Sequence, residues 1–99
     1  MEEVSLNLIM HSGEARSYAM EAISASKSGE LENIDHLLQK ANEELGYAHF
    51  SQSTLMQNES KDNNSKISLL LVQAQDHLMT TMFLIDIAKE LVSVYLKIN

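Results

Sequence analysis

Four side chains have types and spacing that could do chemistry together: Gln73, Asp76, His77 and Thr80, at i, i+3, i+4 and i+7. On an α-helix these positions share a face, with neighbouring Cβ atoms about 5–6 Å apart. They interrupt the most hydrophobic segment of the chain, where burying unpaired polar groups would cost several kcal/mol. Something must satisfy them. Gln75 points away from this face. One reading of the residues is a polar layer that hydrogen-bonds across a bundle and fixes oligomer register, as a lone core asparagine does in coiled coils. The other is a metal or acid/base site built on Asp76 and His77. Adjacent helical residues diverge by about 100°, so that pair cannot easily grip one ion from a single chain. Around a three-fold axis three copies of one carboxylate converge, and a cation is the natural way to offset their repulsion.

The remaining histidines carry weaker signals. His11 falls on an apolar stripe, His36 among polar neighbours and His49 beside a second stripe, and each reads as a packing or surface residue rather than a ligand. Met79, Met82 and Phe83 read as core or interface filler. A metal-dependent hydrolase using Asp76 and His77 would need an open coordination position and a substrate pocket, and the sequence supplies neither.

Three helices must position these groups. Val4, Leu8, His11, Ala15, Tyr18, Ala22 and Ala25 alternate spacings of four and three, an amphipathic stripe that predicts a helix over about 4–28, ending near Gly29. Ile34, Leu38, Ala41, Leu45, Ala48, Gln52 and Leu55 repeat the pattern and predict a second helix over about 31–57, with Asp35, Lys40, Glu43 and Glu44 on its solvated side. Residues 58–65, NESKDNNS, are wholly polar and predict a connection, with Asn64 or Ser65 capping the next helix. A third helix, about 66–97, lacks a polar face over most of its length: Leu69, Val72, Met79 and Phe83 lie on one side, and Leu70, Leu71, Ala74, Leu78 and Ile85 on the other. A helix apolar all round is expected to be buried all round. At 1.5 Å per residue it would be about 48 Å long, against a radius of gyration of about 13 Å for a compact domain of this size. A lone three-helix bundle cannot cover it, so the same helix from other subunits is the expected cover. Gly13 and Gly46 fall inside predicted helices, where close helix–helix approach is the expected compensation.

Composition narrows the function classes. Ninety-nine residues suffice for one domain, spanning 1–99, and 44% hydrophobic with 21% charged residues is a globular balance. Seven basic residues against fourteen acidic ones leave a net charge of −7, which argues against binding a nucleic-acid backbone or an anionic membrane. A basic protein surface suits such a chain better. Cysteine is absent, which excludes disulfides and thiolate metal sites and fits a reducing compartment. Glu2 and Glu3 stand where a signal peptide would be cationic, and no apolar run exceeds the four residues of 69–72. A cytoplasmic protein is expected.

Residues 69–81, LLLVQAQDHLMTT, resemble the signature V-H-A-Q-D-H-L-M-T of the phosphotransferase-system IIA components for lactose, cellobiose and chitobiose. Residues 8–22, LIMHSGEARSYAMEA, and 41–57, ANEELGYAHFSQSTLMQ, resemble that family's first and second helices. The likeness covers nearly the whole chain in the right order. It implies an all-α fold, an antiparallel three-helix bundle assembling as a cytoplasmic homotrimer. It also implies a phosphohistidine carrier that accepts phosphate from phosphorylated HPr and passes it to a cysteine of the cognate IIB component, for uptake of a β-linked disaccharide such as cellobiose, chitobiose or lactose. The membrane would be reached only through the IIC component. Carried over by position, the phosphoacceptor histidine falls on Gln73, the metal-binding aspartate on Asp76, with a divalent cation, magnesium by the chemistry of hard carboxylate ligands, on the trimer axis. His77 matches the second histidine of the motif.

Gln73 departs from that pattern. A neutral imidazole offers a lone pair that attacks phosphorus, whereas a glutamine amide nitrogen is delocalised into its carbonyl and does not titrate. The change is expected to spare the fold and remove the chemistry. It reads either as a deliberate replacement that disables a carrier, favoured by the otherwise complete motif, or as the residue of a natural relative that has lost transfer. The alternative function is a non-catalytic helical oligomer acting as a regulator or scaffold.

Overall fold

Small residues at alternating spacings of three and four decide how the first helix packs. In the computed structural model, which describes residues 2–61 and 69–98, α1 (Glu2–Ser28) buries Ser5, Leu8, Ser12, Ala15, Ala19, Ala22 and Ser26. Leu8, Ala15 and Ala22 belong to the apolar stripe read from the sequence, but Val4, His11, Tyr18 and Ala25 are only half-buried. The centre of the buried face lies instead on three serines and Ala19, because α1 packs along both other helices and only short side chains fit between two neighbours. Ser26 satisfies its buried hydroxyl by donating from Oγ to the Ile23 carbonyl at 2.8 Å.

Gly29, at φ 77°, ends α1. The Glu30 amide donates to the Ala25 carbonyl (2.9 Å) and the Gly29 amide to that of Ser26 (3.3 Å), a paired capping arrangement that needs the left-handed conformation. A short 3-10 turn, Leu31–Asn33, leads into α2 (Ile34–Lys61), and α3 (Leu69–Ile98) completes the described chain. The second helix therefore runs past the predicted end at about 57. Residues 58–61, expected to begin a loop, are helical, since Asn-Glu-Ser-Lys holds neither glycine nor proline, and Glu and Lys favour helix. Residues 62–68, with the expected cap at Asn64 or Ser65 and the predicted start of helix three at about 66, lie outside the described residues.

Three core clusters give the topology. Leu8, Ala48, Leu55, Ala74 and Leu78 form one; Ala15, Ala19, Ala41, Ile85 and Ala88 the next; Ala22, Ile34 and Val92 the last. Numbers from α1 and α3 rise together while those from α2 fall, so α2 is antiparallel to α1 and α3 returns parallel to it. The bundle measures 55 × 17 × 15 Å, and its radius of gyration of 15.9 Å exceeds the roughly 13 Å of a compact domain of this length.

The expectation that α3 is buried all round is corrected within the chain. Its inner face, Ala74, Leu78, Thr81, Ile85, Ala88 and Val92, is covered, while Leu69 (74%), Val72 (52%), Met79 (56%) and Phe83 (63%) stand exposed. Two partner helices can cover only one side of a third. The expected close approach at the helical glycines is also corrected: a Cβ on Gly13 would stand an ordinary 3.8 Å from His77 Nε2, and one on Gly46 would meet nothing within 4 Å.

Candidate functional site

The inner face of α3 fixes the direction of every polar group on its first three turns. With Ala74, Leu78 and Thr81 buried, helical geometry turns Gln75 toward α2, where Gln52 Nε2 donates to Gln75 Oε1 at 2.8 Å. Gln75 does point away from the other three, as its position in the sequence requires. Gln73, Asp76 and Thr80 lie on the outside of α3 and are exposed, and His77 is half-buried against α1 beside Gly13. The structure thus brings Gln73, Asp76, His77 and Thr80 onto neighbouring surface of one helix. It corrects the premise that they are buried within the chain, because solvent reaches all four.

Thr80 is satisfied locally, its Oγ1 donating at 3.1 Å to the carbonyls of both Asp76 and His77. Gln73 and Asp76 make no side-chain hydrogen bond among the described residues, so their polar atoms are available to whatever docks here. Asp76 sits within an outward apolar stripe, Leu69, Val72, Met79, Phe83, Ile87 and Val94, that runs opposite the core face; Asp76 and Glu90 are the acidic residues in it. Its spacing of three and four is that of a helix-pairing seam.

The described residues of one copy do not make a cation site by themselves. Among the described residues no group of three or more His, Cys, Asp or Glu side chains could bind a metal, and one carboxylate offers far fewer than the six oxygens that Mg²⁺ takes. Asp76 has the right donor chemistry and an unobstructed carboxylate, so the fit depends on copies of Asp76 from other chains.

Sequence reasoning misses a contact between α1 and α2. His11 Nδ1 lies 2.6 Å from Glu44 Oε2, and its ring centroid lies 5.2 Å from that of Tyr47. An ionised carboxylate only accepts, so Nδ1 is the donor. His11 is therefore a polar tie between helices rather than a dry stripe residue, and Glu44 is drawn off the solvated face. No spacing within one helix signals a pair 33 residues apart. His36 is exposed and His49 half-buried, in keeping with packing or surface roles.

Residues 3–96 match the family described as the PTS system, Lactose/Cellobiose specific IIA subunit. The lichenan-specific phosphotransferase enzyme IIA component of Bacillus subtilis is 47% identical over 99 residues, covering 100% of this chain and 90% of that protein. The crystal structure of the PTS cellobiose-specific enzyme IIA from Bacillus anthracis superposes with a TM-score of 0.90 at 38% identity, over 97% of this chain and 88% of that one. A solution structure from the N,N'-diacetylchitobiose branch of the Escherichia coli phosphotransferase system, in which the chitobiose IIA protein is in complex with HPr, gives 0.85 at 35% identity, over 98% and 94%. Among the described residues no helix is long and apolar enough to cross a membrane.

Proposed function

Because the chain belongs to the lactose/cellobiose-specific IIA family of the sugar phosphotransferase system, we propose that it is a cytoplasmic, trimer-forming IIA component that docks its phosphotransferase partners without carrying phosphate. One observation carries this reading: Gln73 stands exposed on α3, without a side-chain hydrogen bond among the described residues, at the position where the motif of residues 69–81 calls for the acceptor histidine. In transfer to an active carrier, an imidazole nitrogen attacks phosphorus, a new N–P bond forms, and the N–P bond to the histidine of HPr breaks. Gln73 offers an amide in its place, with no nucleophilic lone pair. His77 does not replace it: it matches the second histidine of the motif rather than the acceptor, and although it adjoins Gln73 on α3 it is half-buried with its ring against α1 beside Gly13, whereas Gln73 is exposed.

The chitobiose IIA–HPr complex supports HPr as a partner, and the cognate IIB component is expected from the family. Names of the relatives point to a β-linked sugar as the transported substrate. A chain that docks but does not transfer competes with active carriers, which joins the phosphocarrier reading to the regulator reading. The test is a reconstituted reaction in which an active IIA of this family passes phosphate from HPr to IIB. Adding the present chain is expected to raise the KM for phosphorylated HPr and leave kcat unchanged. An unaffected rate at saturating chain would remove the docking claim.

Three copies of α3 around an axis would cover the apolar stripe and bring three Asp76 carboxylates together. A divalent cation there, magnesium by hard-ligand chemistry, would offset their mutual repulsion. The residues that would hold it are Asp76 from each copy. Chelation is therefore expected to shift the unaltered protein toward monomer in sedimentation velocity, and Asp76→Asn to keep the trimer with or without chelator. A trimer indifferent to chelator, with no magnesium heat in calorimetry, would rule out the metal.

A further inference from the structure

Between α1 and α2, away from the outward stripe of α3, lies a recess of about 240 Å³ lined by Asn7, His11, Tyr47, Phe50, Ser51 and Thr54. Its walls are of two kinds. Tyr47 and Phe50, one turn apart on α2, are 57% and 73% exposed and belong to none of the three core clusters. The polar groups beside them have unused hydrogen-bonding capacity. Ser51 is 8% exposed, yet its hydroxyl makes no hydrogen bond among the described residues, and it is not sealed from solvent as the Ser12 and Thr81 hydroxyls are. The Asn7 amide is equally uncommitted. His11 gives its Nδ1 proton to Glu44, which leaves Nε2 of the neutral ring an acceptor. Thr54 donates its proton to the Phe50 carbonyl at 3.1 Å, so its oxygen can only accept further. No Lys, Arg, Asp or Glu lines the recess.

We infer that this recess binds an uncharged sugar ring. Ligand sites pair aromatic and apolar walls with a few placed polar groups, and both are present here. A pyranose offers C–H groups on one side, which suit the electron-rich faces of tyrosine and phenylalanine, and hydroxyls around its rim that both donate and accept. That dual capacity meets a mixed set: His11 Nε2 and the Thr54 oxygen call for donors, while the Ser51 hydroxyl and the Asn7 amide can do either. A hydroxyl on a side chain as buried as Ser51 is nearly always paired in folded proteins. Water would pair it but leave two aromatic rings uncovered side by side. A phosphorylated sugar is disfavoured, because the recess offers no cation and the Glu44 carboxylate stands behind His11. Pairing of α3 stripes between copies leaves the recess open, since it lies between the other two helices. In a component of a sugar phosphotransferase system, such a site distinguishes the free sugar from its phosphorylated product.

The test is an NMR titration of the labelled full chain, following the Asn7 and His11 side-chain signals and the Ser51 amide. Cellobiose, a phosphate ester of cellobiose and glycerol are added separately, glycerol at matched hydroxyl concentration. Cellobiose is expected to give saturable shifts at these three residues, and glycerol none that saturate. Phe50→Ala, which removes an exposed ring and spares the core, should weaken binding about tenfold. Ser51→Ala, which removes only the hydroxyl, should weaken it several-fold. The phosphate ester should bind more weakly than cellobiose itself. Equal or tighter binding of the ester would overturn the assignment to an uncharged sugar. No saturation with cellobiose, the same saturable shifts with glycerol, or affinity undiminished in both Phe50→Ala and Ser51→Ala would overturn the site. HPr takes no part in this titration, so its outcome is separate from that of the transfer reading.

Discussion

Gln73→His protein mixed with phosphorylated HPr is expected to gain one phosphoryl group per chain, while the unaltered chain gains none. This effect should be the largest of any single substitution, because it supplies the attacking atom itself rather than adjusting its surroundings. The replacement needs no other change. Position 73 is exposed on α3, beyond the buried residues Ala74 and Leu78, so an imidazole there displaces no core side chain. Its neighbours along the helix, Asp76, His77 and Thr80, already stand on adjoining surface. The bond formed should be acid- and heat-labile and should map to residue 73 by peptide mass spectrometry. Failure of Gln73→His to be phosphorylated would mean that the acceptor position has been assigned wrongly.

The second large effect concerns assembly. Light scattering of the unaltered chain is expected to give three times the mass of one chain at micromolar concentration, and Phe83→Glu to give a monomer of unchanged helicity. Phe83 is 63% exposed in the single chain, at the centre of the stripe that includes Val72, Met79 and Ile87. Burying a side chain of this size stabilises by roughly 1.5–3 kcal/mol, and each subunit of a trimer contributes one copy. Three glutamates at that level would instead bring like charges together in an apolar seam, at a cost of several kcal/mol. The core of each chain does not use Phe83, so the monomer should stay folded. A stable monomer of the unaltered chain would leave the stripe without its proposed cover.

Much of the fold is legible in the residues, for reasons that differ by element. Ile34, Ala41, Ala48 and Leu55 are buried as their spacing predicts, because α2 uses one face and the period of an α-helix reports it directly. Periodicity serves α1 less well. Its buried face includes Ser5, Ser12 and Ser26, chosen by the room between two neighbours rather than by hydrophobicity. The end of α1 at Gly29 is readable, whereas the end of α2 is not, since a polar segment without glycine or proline does not say whether it is helix or loop. For the site, one-helix geometry is enough to put Gln73, Asp76 and Thr80 on one side of α3 and Gln75 on another. It cannot reveal the tie between His11 and Glu44, because pairing across helices depends on register that no single segment contains. The opposite faces of α3 both read as apolar, and only the packing tells which of them the chain covers by itself.

That the chain docks as a IIA component and stops there is tested most directly by mixing labelled, phosphorylated HPr with the unaltered chain and recording HPr spectra over time. HPr signals around its phosphohistidine are expected to move on binding, and the phosphohistidine to persist on HPr, lost only at the rate of its spontaneous hydrolysis. Loss of phosphate from HPr matched by its appearance on the chain would contradict this reading, as would HPr spectra unchanged by the chain at any ratio.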